Sequence, residues 1–234
     1  MLINTAKVTA ITAKVWQGTC KKQFHAYFGS TFESMSNQIE TQIDVTMTER
    51  NRVSAFFRLI LIAPIYLFAA SFTPSVASIQ SGDLSGLFAG FFVLPVALAI
   101  LFRQVYPSYL LAFNEALLSF QTRIDTYLLL LTDEYPSIEE NDVVSVTFPE
   151  VNAKELSRGL PLVKWFLAIP LYIVGFAYII YGAVLTVIAW FSILFTGNFP
   201  EYCAEGIVGV IAFWNRVTGY ALLLVTDEYP TFSL

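Results

Sequence analysis

The sequence predicts a mainly α-helical membrane protein: two tandem copies of a module made of a helical hairpin and an amphipathic helix, each preceded by a short strand. Three observations predict it. The chain of 234 residues is 56% hydrophobic and 13% charged, with a mean hydropathy of +0.62, whereas soluble domains run at roughly 45–50% apolar and about 25% charged. Too few polar side chains remain to coat a soluble fold of this size. The phrase LLLLTDEYP at 128–136 is matched by LLLVTDEYP at 222–230. Upstream of each phrase stand apolar segments approaching the thickness of a bilayer.

Taken in order, residues 1–38 form a polar N-terminal arm, 39–142 the first module and 143–234 the second. Each module opens on an alternating run, IETQIDVTM (39–47) or VVSVTFPEV (143–151), whose β-branched residues at every second place predict a strand. Two apolar segments follow, 55–72 and 87–103 in the first module, 162–179 and 182–196 in the second. At ~1.5 Å per residue each reaches about 22–27 Å, near the lower limit for a ~30 Å hydrocarbon core. A tight turn near Tyr181–Gly182 is expected between the second pair. Stretches 108–131 and 201–225 then lead into TDEYP. They carry Asn114, Glu115, Arg123, Asn215 and Arg216 amid Leu, Phe and Trp, which predicts helices lying in the interface rather than spanning.

The modules align through RLILIAPIY (58–66) with KWFLAIPLY (164–172), and ALAILFRQVYP (97–107) with WFSILFTGNFP (190–200). The offset falls from 106 at Pro64/Pro170 to 93 at Pro107/Pro200, so the first module is longer by the polar loop 73–86. No Lys or Arg falls in 73–86 or 180–182. By the positive-inside rule both termini and the inter-module segment are cytoplasmic in a multi-pass protein, with two spans per module and the modules in parallel orientation.

FFRLILIAPIY, ILFTGNFP, FWNRVTGYALLLVTDEYP and TFSL together resemble a widespread bacterial membrane-protein family labelled only as a domain of unknown function. Its hallmark is a pair of spans followed by an aromatic-rich amphipathic stretch ending in a TD-x-YP-x-FSL-like tail. Residues 143–234 resemble it closely, 39–142 more distantly with RQVYP in place of TGNFP, and 1–38 not at all. The resemblance implies a bacterial inner-membrane location and brings no activity.

No catalytic, cofactor or metal site is expected. The chain has one His, His25, and two widely spaced cysteines, Cys20 and Cys203, far from metal-ligand or disulfide spacing. GxSxG, Walker A and GxGxxG patterns are absent. A net charge of −5 argues against nucleic acid as a partner. GLFAG (86–90) suits close helix approach, and Pro64 and Pro170 predict kinks within the first apolar segment of each module. Asp133–Glu134 and Asp227–Glu228, each just before a Tyr-Pro, read as corner formers at a helix end. The candidate lipid or interface contacts are Arg123, Arg216, Tyr127 and Tyr220, because matched ionisable groups in apolar surroundings point to function. Their expected partners are the TDEYP carboxylates or lipid phosphate. Arg58 and Lys164 read as snorkelling cations. The expected function is a non-catalytic accessory or scaffold subunit of a larger membrane complex, with respiratory and photosynthetic assemblies as hosts it would suit. A small transporter or channel, and a lipid-binding, membrane-shaping protein, are the alternatives.

Overall fold

The computed structural model describes residues 37–70, 93–139 and 142–234. The arm up to Ser36, with Cys20 and His25, the extra loop at 73–86 and the small-residue motif at 86–90 lie outside the described residues. Contacts divide the chain into Met1–Ser36 and Asn37–Leu234, and the architecture is that of the second unit.

Strands β1 (Glu40–Ile43) and β2 (Val144–Thr147) fall inside the two alternating runs. They pair with each other, antiparallel, from Glu40↔Thr147 to Ile43↔Val144. Alternation turns Thr41, Ile43, Val144 and Val146 inward and leaves Glu40, Gln42, Ser145 and Thr147 exposed.

Proline and asparagine set the helix starts. Helix α1 (Arg52–Phe56) is capped by Asn51, whose side chain accepts from the Val53 and Ser54 amides. After α2 (Arg58–Leu61) comes α3 (Ala63–Ala70), with Pro64 as its second residue. In the second module α6 (Leu160–Leu167) breaks at Ala168, and α7 (Ile169–Thr196) restarts with Pro170 near its beginning. The prolines therefore sit where a helix begins, where a missing amide is harmless, and mark breaks rather than bends within one helix. Pro107 and Pro200, both extended, precede α5 (Ser108–Leu128) and α8 (Glu201–Thr218), the first of these following α4 (Val93–Arg103). Beyond α8 the chain winds through a π-helical stretch, Gly219–Leu223.

The turn expected at Tyr181–Gly182 is absent: α7 runs through it as one helix of 28 residues. A glycine costs a helix only about 1 kcal/mol, too little to break this apolar run, whose other glycine, Gly175, is likewise helical. Gly182 instead backs against the Val210 side chain, its Cβ position 3.6 Å from the methyls. The true hairpin joins α7 to α8 through Gly197, whose φ of +78° closes α7 with a left-handed cap. The two helices pack antiparallel along their length. Phe213 and Trp214 crowd Gly175, and Leu185 and Tyr181 crowd Gly206. Ile193 meets Cys203 and Ile207 near the hairpin. The stretch 201–225 is thus a packed helix rather than a separate surface one.

Helix α3 lies on α5 in a similar way, through Ile62, Ile65 and Ala69 against Phe120, Ile124 and Tyr127. The strand pair covers α5 and the end of the second module, where Ile39, Val144 and Val146 meet Leu118, Leu223 and Val225. Outward, α1–α3, α6 and α7 expose large apolar side chains such as Leu59, Leu67, Phe166, Ile173 and Phe195. By length and composition two helical segments could cross a membrane. Ile169–Thr196 has mean hydropathy 2.2 and 22% of its apolar window buried; Glu201–Leu223 has 1.3 and 61%.

Candidate functional site

The TDEYP phrases form two buried cation sites of matching plan. In the first, Arg58 from α2 reaches the chain leaving α5. Its Nη1 donates to the Thr132 carbonyl at 3.0 Å and its Nη2 to Asp133 Oδ1 at 2.8 Å. The guanidinium carbon stands 4.0 Å from the centre of the Tyr127 ring. The other Asp133 oxygen accepts the Asn51 amide at 3.0 Å. In the second, Lys164 from α6 donates to the Thr226 carbonyl at 2.6 Å and forms an ion pair with Asp227 Oδ1 at 2.7 Å, 5.0 Å from the centre of the Tyr220 ring. Asp227 Oδ2 accepts the Ser157 amide at 2.7 Å.

The detail around each cation repeats. The Thr132 and Thr226 hydroxyls accept the amides of Glu134 and Glu228, each at 3.1 Å, an ST-turn that sets the corner. Tyr127 meets Tyr135 edge-on at 5.6 Å, as Tyr220 meets Tyr229 at 5.6 Å. A leucine in the left-handed region leads into each corner, Leu130 at φ 67° and Leu224 at φ 58°. Such a conformation costs a bulky residue about 1–3 kcal/mol, and burial of both side chains, 3% and 1% exposed, holds it in place.

Besides the cation itself, Arg58 against Lys164, the sites differ at the residue before the amide donor. Two buried arginines share Asp133, with Arg50 Nη2 at 3.4 Å, whereas Leu156 occupies the place before Ser157 that Arg50 occupies before Asn51. Arg50 also donates to the carbonyls of Thr46, Leu130 and Leu131. Burial pushes its guanidinium down to about 10, with Asp133 opposing and the like charge of Arg58 adding to the shift; it stays charged at neutral pH.

The residues expected as lipid contacts have other neighbours. Tyr127 and Tyr220 are each 2% exposed, so their rings face the chain's own cations rather than lipid. Arg123 Nη1 donates to the carbonyls of Ser137, Ile138 and Glu139, and Arg216 Nη2 donates to the Ser233 carbonyl. The TDEYP aspartates pair with Arg58, Arg50 and Lys164, not with Arg123 or Arg216. Asn215, counted as costly inside a span, bonds Thr41 at 2.9 Å and Thr122 at 3.1 Å, so protein satisfies it. The signal for Arg58 and Lys164 was present in the sequence, since both stand six residues before the aligned Pro64 and Pro170.

Chemically, each aspartate neutralises a desolvated cation and anchors a turn, which leaves its oxygens occupied. Among the described residues there is no cluster of three or more His, Cys, Asp or Glu that could hold a metal ion, and Cys203 is buried.

Residues 161–233 match the family described as Domain of unknown function (DUF4389). The match runs from the start of α6 into the tail and includes Lys164, Tyr220 and Asp227, so the second cation site lies wholly within it apart from Ser157. No curated protein matches the chain, and no solved structure does.

Proposed function

We propose that the chain is a non-catalytic accessory or scaffold subunit held in a bacterial inner membrane, within a larger membrane complex such as a respiratory or photosynthetic one. The observation that carries this reading is the use made of ionic groups. Arg50, Arg58 and Lys164 are buried on the chain's own carboxylates, carbonyls and rings, where they fix corners. Apolar side chains such as Phe56, Trp165, Phe176 and Val187 are exposed instead, a distribution suited to lipid and to neighbouring subunits.

The module is proposed to have arisen by tandem duplication. Its support is the agreement of the two cation sites down to the threonine turn, the edge-on tyrosine pair and the left-handed leucine. Purification from native membranes in mild detergent, followed by intact-complex mass spectrometry, tests the subunit role. Stoichiometric partner chains are the expected result; a clean monomer or homo-oligomer sinks it. One observation favours a second reading, a lipid-binding, membrane-shaping protein: an apolar helix layer and a polar sheet face lie on opposite sides of α8.

A further inference from the structure

We propose that the protein sits in a single leaflet of an anionic bilayer with α7 parallel to the membrane plane. The proposal rests on the membrane reading above and replaces the multi-pass arrangement, with two spans per module, expected from the sequence.

The first argument is what lies across α8. On one side α7 packs along its whole length. On the other, the extended segment 39–47 runs beside the same helix and its flanks: Ile39 abuts Gly219, Thr41 bonds Asn215, Ile43 and Val45 pack against the cluster that includes Ile207 and Ile211, and the Met47 carbonyl accepts the Phe199 amide at 2.8 Å. The outward side chains of that segment include Glu40, Gln42 and Asp44, all exposed, and Ser145 and Thr147 extend the polar face through β2. If α7 stood along the membrane normal, this strand would stand with it, and its acidic face would meet hydrocarbon at mid-depth. Hydrocarbon excludes such a polar face and its carboxylates. Laid flat, α7 turns Ile173, Phe176, Ile180, Val184 and Phe191, all exposed, into the acyl chains while the strand face stays in water.

The second argument is the placement of charge. The Arg58 site lies at the C-terminal end of α7, where the Arg50 amide donates to the Gly197 carbonyl and Trp190 Nε1 to the Ala55 carbonyl. The Lys164 site adjoins the N-terminal end, just before Ile169. These ends are about 42 Å apart at ~1.5 Å per residue, more than a ~30 Å core. An upright α7 would divide the basic residues between opposite sides of the membrane, against the positive-inside bias. A flat one keeps them on one side. Exposed Arg52 at one end, and Arg103, Lys154 and Arg158 towards the other, then reach anionic headgroups together.

Sided labelling of the full chain tests this. In a Cys20→Ser background, with Cys203 buried, single cysteines are introduced at three exposed positions: Lys154→Cys and Asn198→Cys near the two ends of α7, and Gln42→Cys on the strand face. Each is treated with an impermeant maleimide in right-side-out and in inverted membrane vesicles. The expected result is labelling of all three in one vesicle type and its loss in the other. Labelling of 154 and 198 from opposite faces, protection of 42 in both types, or partial labelling of every site in both types would overturn the flat arrangement. Sedimentation with the vesicles is scored first: protein left in the supernatant overturns the membrane reading itself, so the two failures are distinct.

Discussion

The Arg58 and Lys164 sites solve one problem with different charge. Each buries a cation beneath a corner and balances it with an aspartate about a quarter exposed, Asp133 at 25% and Asp227 at 24%. The second is a one-to-one pair, with Leu156 at the sequence position that matches Arg50. The first carries a second arginine that gathers carbonyls from the chain before α1 and the corner after α5. A lysine offers one compact charge, while an arginine spreads several donors in a plane and can tie backbone segments together. The comparison teaches that the shared element is a charge-balanced corner, and that Arg50 is an added tie between the first corner and the hairpin end of α7.

The strongest way to break the comparison is to remove the acids. Asp133→Asn leaves two buried guanidiniums without a carboxylate and should cost about 3–5 kcal/mol, since an uncompensated buried charge is far worse than no pair at all. Asp227→Asn strands one cation and should fall at the lower end of the same range. Detergent-resistant melting followed by fluorescence-detected size exclusion ranks the two, and a larger loss from Asp227→Asn would contradict the reading.

Converting the first site to the second sharpens it further. Arg50→Leu frees the carbonyls of Leu130 and Leu131 and should destabilise by about 1–3 kcal/mol. Combined with Asp133→Asn it should cost less than the sum of the two, because only one arginine then lacks a counter-charge; strict additivity would show that Arg50 and Asp133 act independently. Exchanging Arg58→Lys keeps the two kinds of partner that Lys164 meets at the second site but gives up the planar fork that holds them, for a loss of about 1–2 kcal/mol by the strength of charge-assisted hydrogen bonds. The smallest effect belongs to the rings. Beyond their packing, Tyr127→Leu and Tyr220→Leu should each lose about 0.5–2 kcal/mol of cation–π attraction. Tyr127 should lose more, since its cation is at 4.0 Å and that of Tyr220 at 5.0 Å.

Much of this was legible in the chain. Both strands fall within the alternating runs, α5 and α8 begin immediately after the matched Pro107 and Pro200, and the TDEYP phrases are corners at helix ends. Three local readings went astray for identifiable reasons. Gly182 suggested a turn, yet one glycine cannot outweigh the helical preference on either side and the bulk of Val210 opposite it. Arg123 and Arg216 attracted attention because they are charged among apolar neighbours in sequence, whereas carbonyl groups brought from residues 137–139 and 233 accept hydrogen bonds from them. Arg58 and Lys164 looked like surface cations because their aspartates lie 75 and 63 residues away.

By itself the sequence determined what depends on composition and short range: an apolar, mainly helical chain, its helix starts at proline, and its recurring corners. Only the tertiary structure decided which carboxylate meets which cation, that the strands of separate modules pair with each other, and that 169–196 is one helix with α8 packed along it. The physical reason is burial. Whether a charge is solvated, paired or stranded depends on which distant segments close over it, and the linear order of residues does not carry that information.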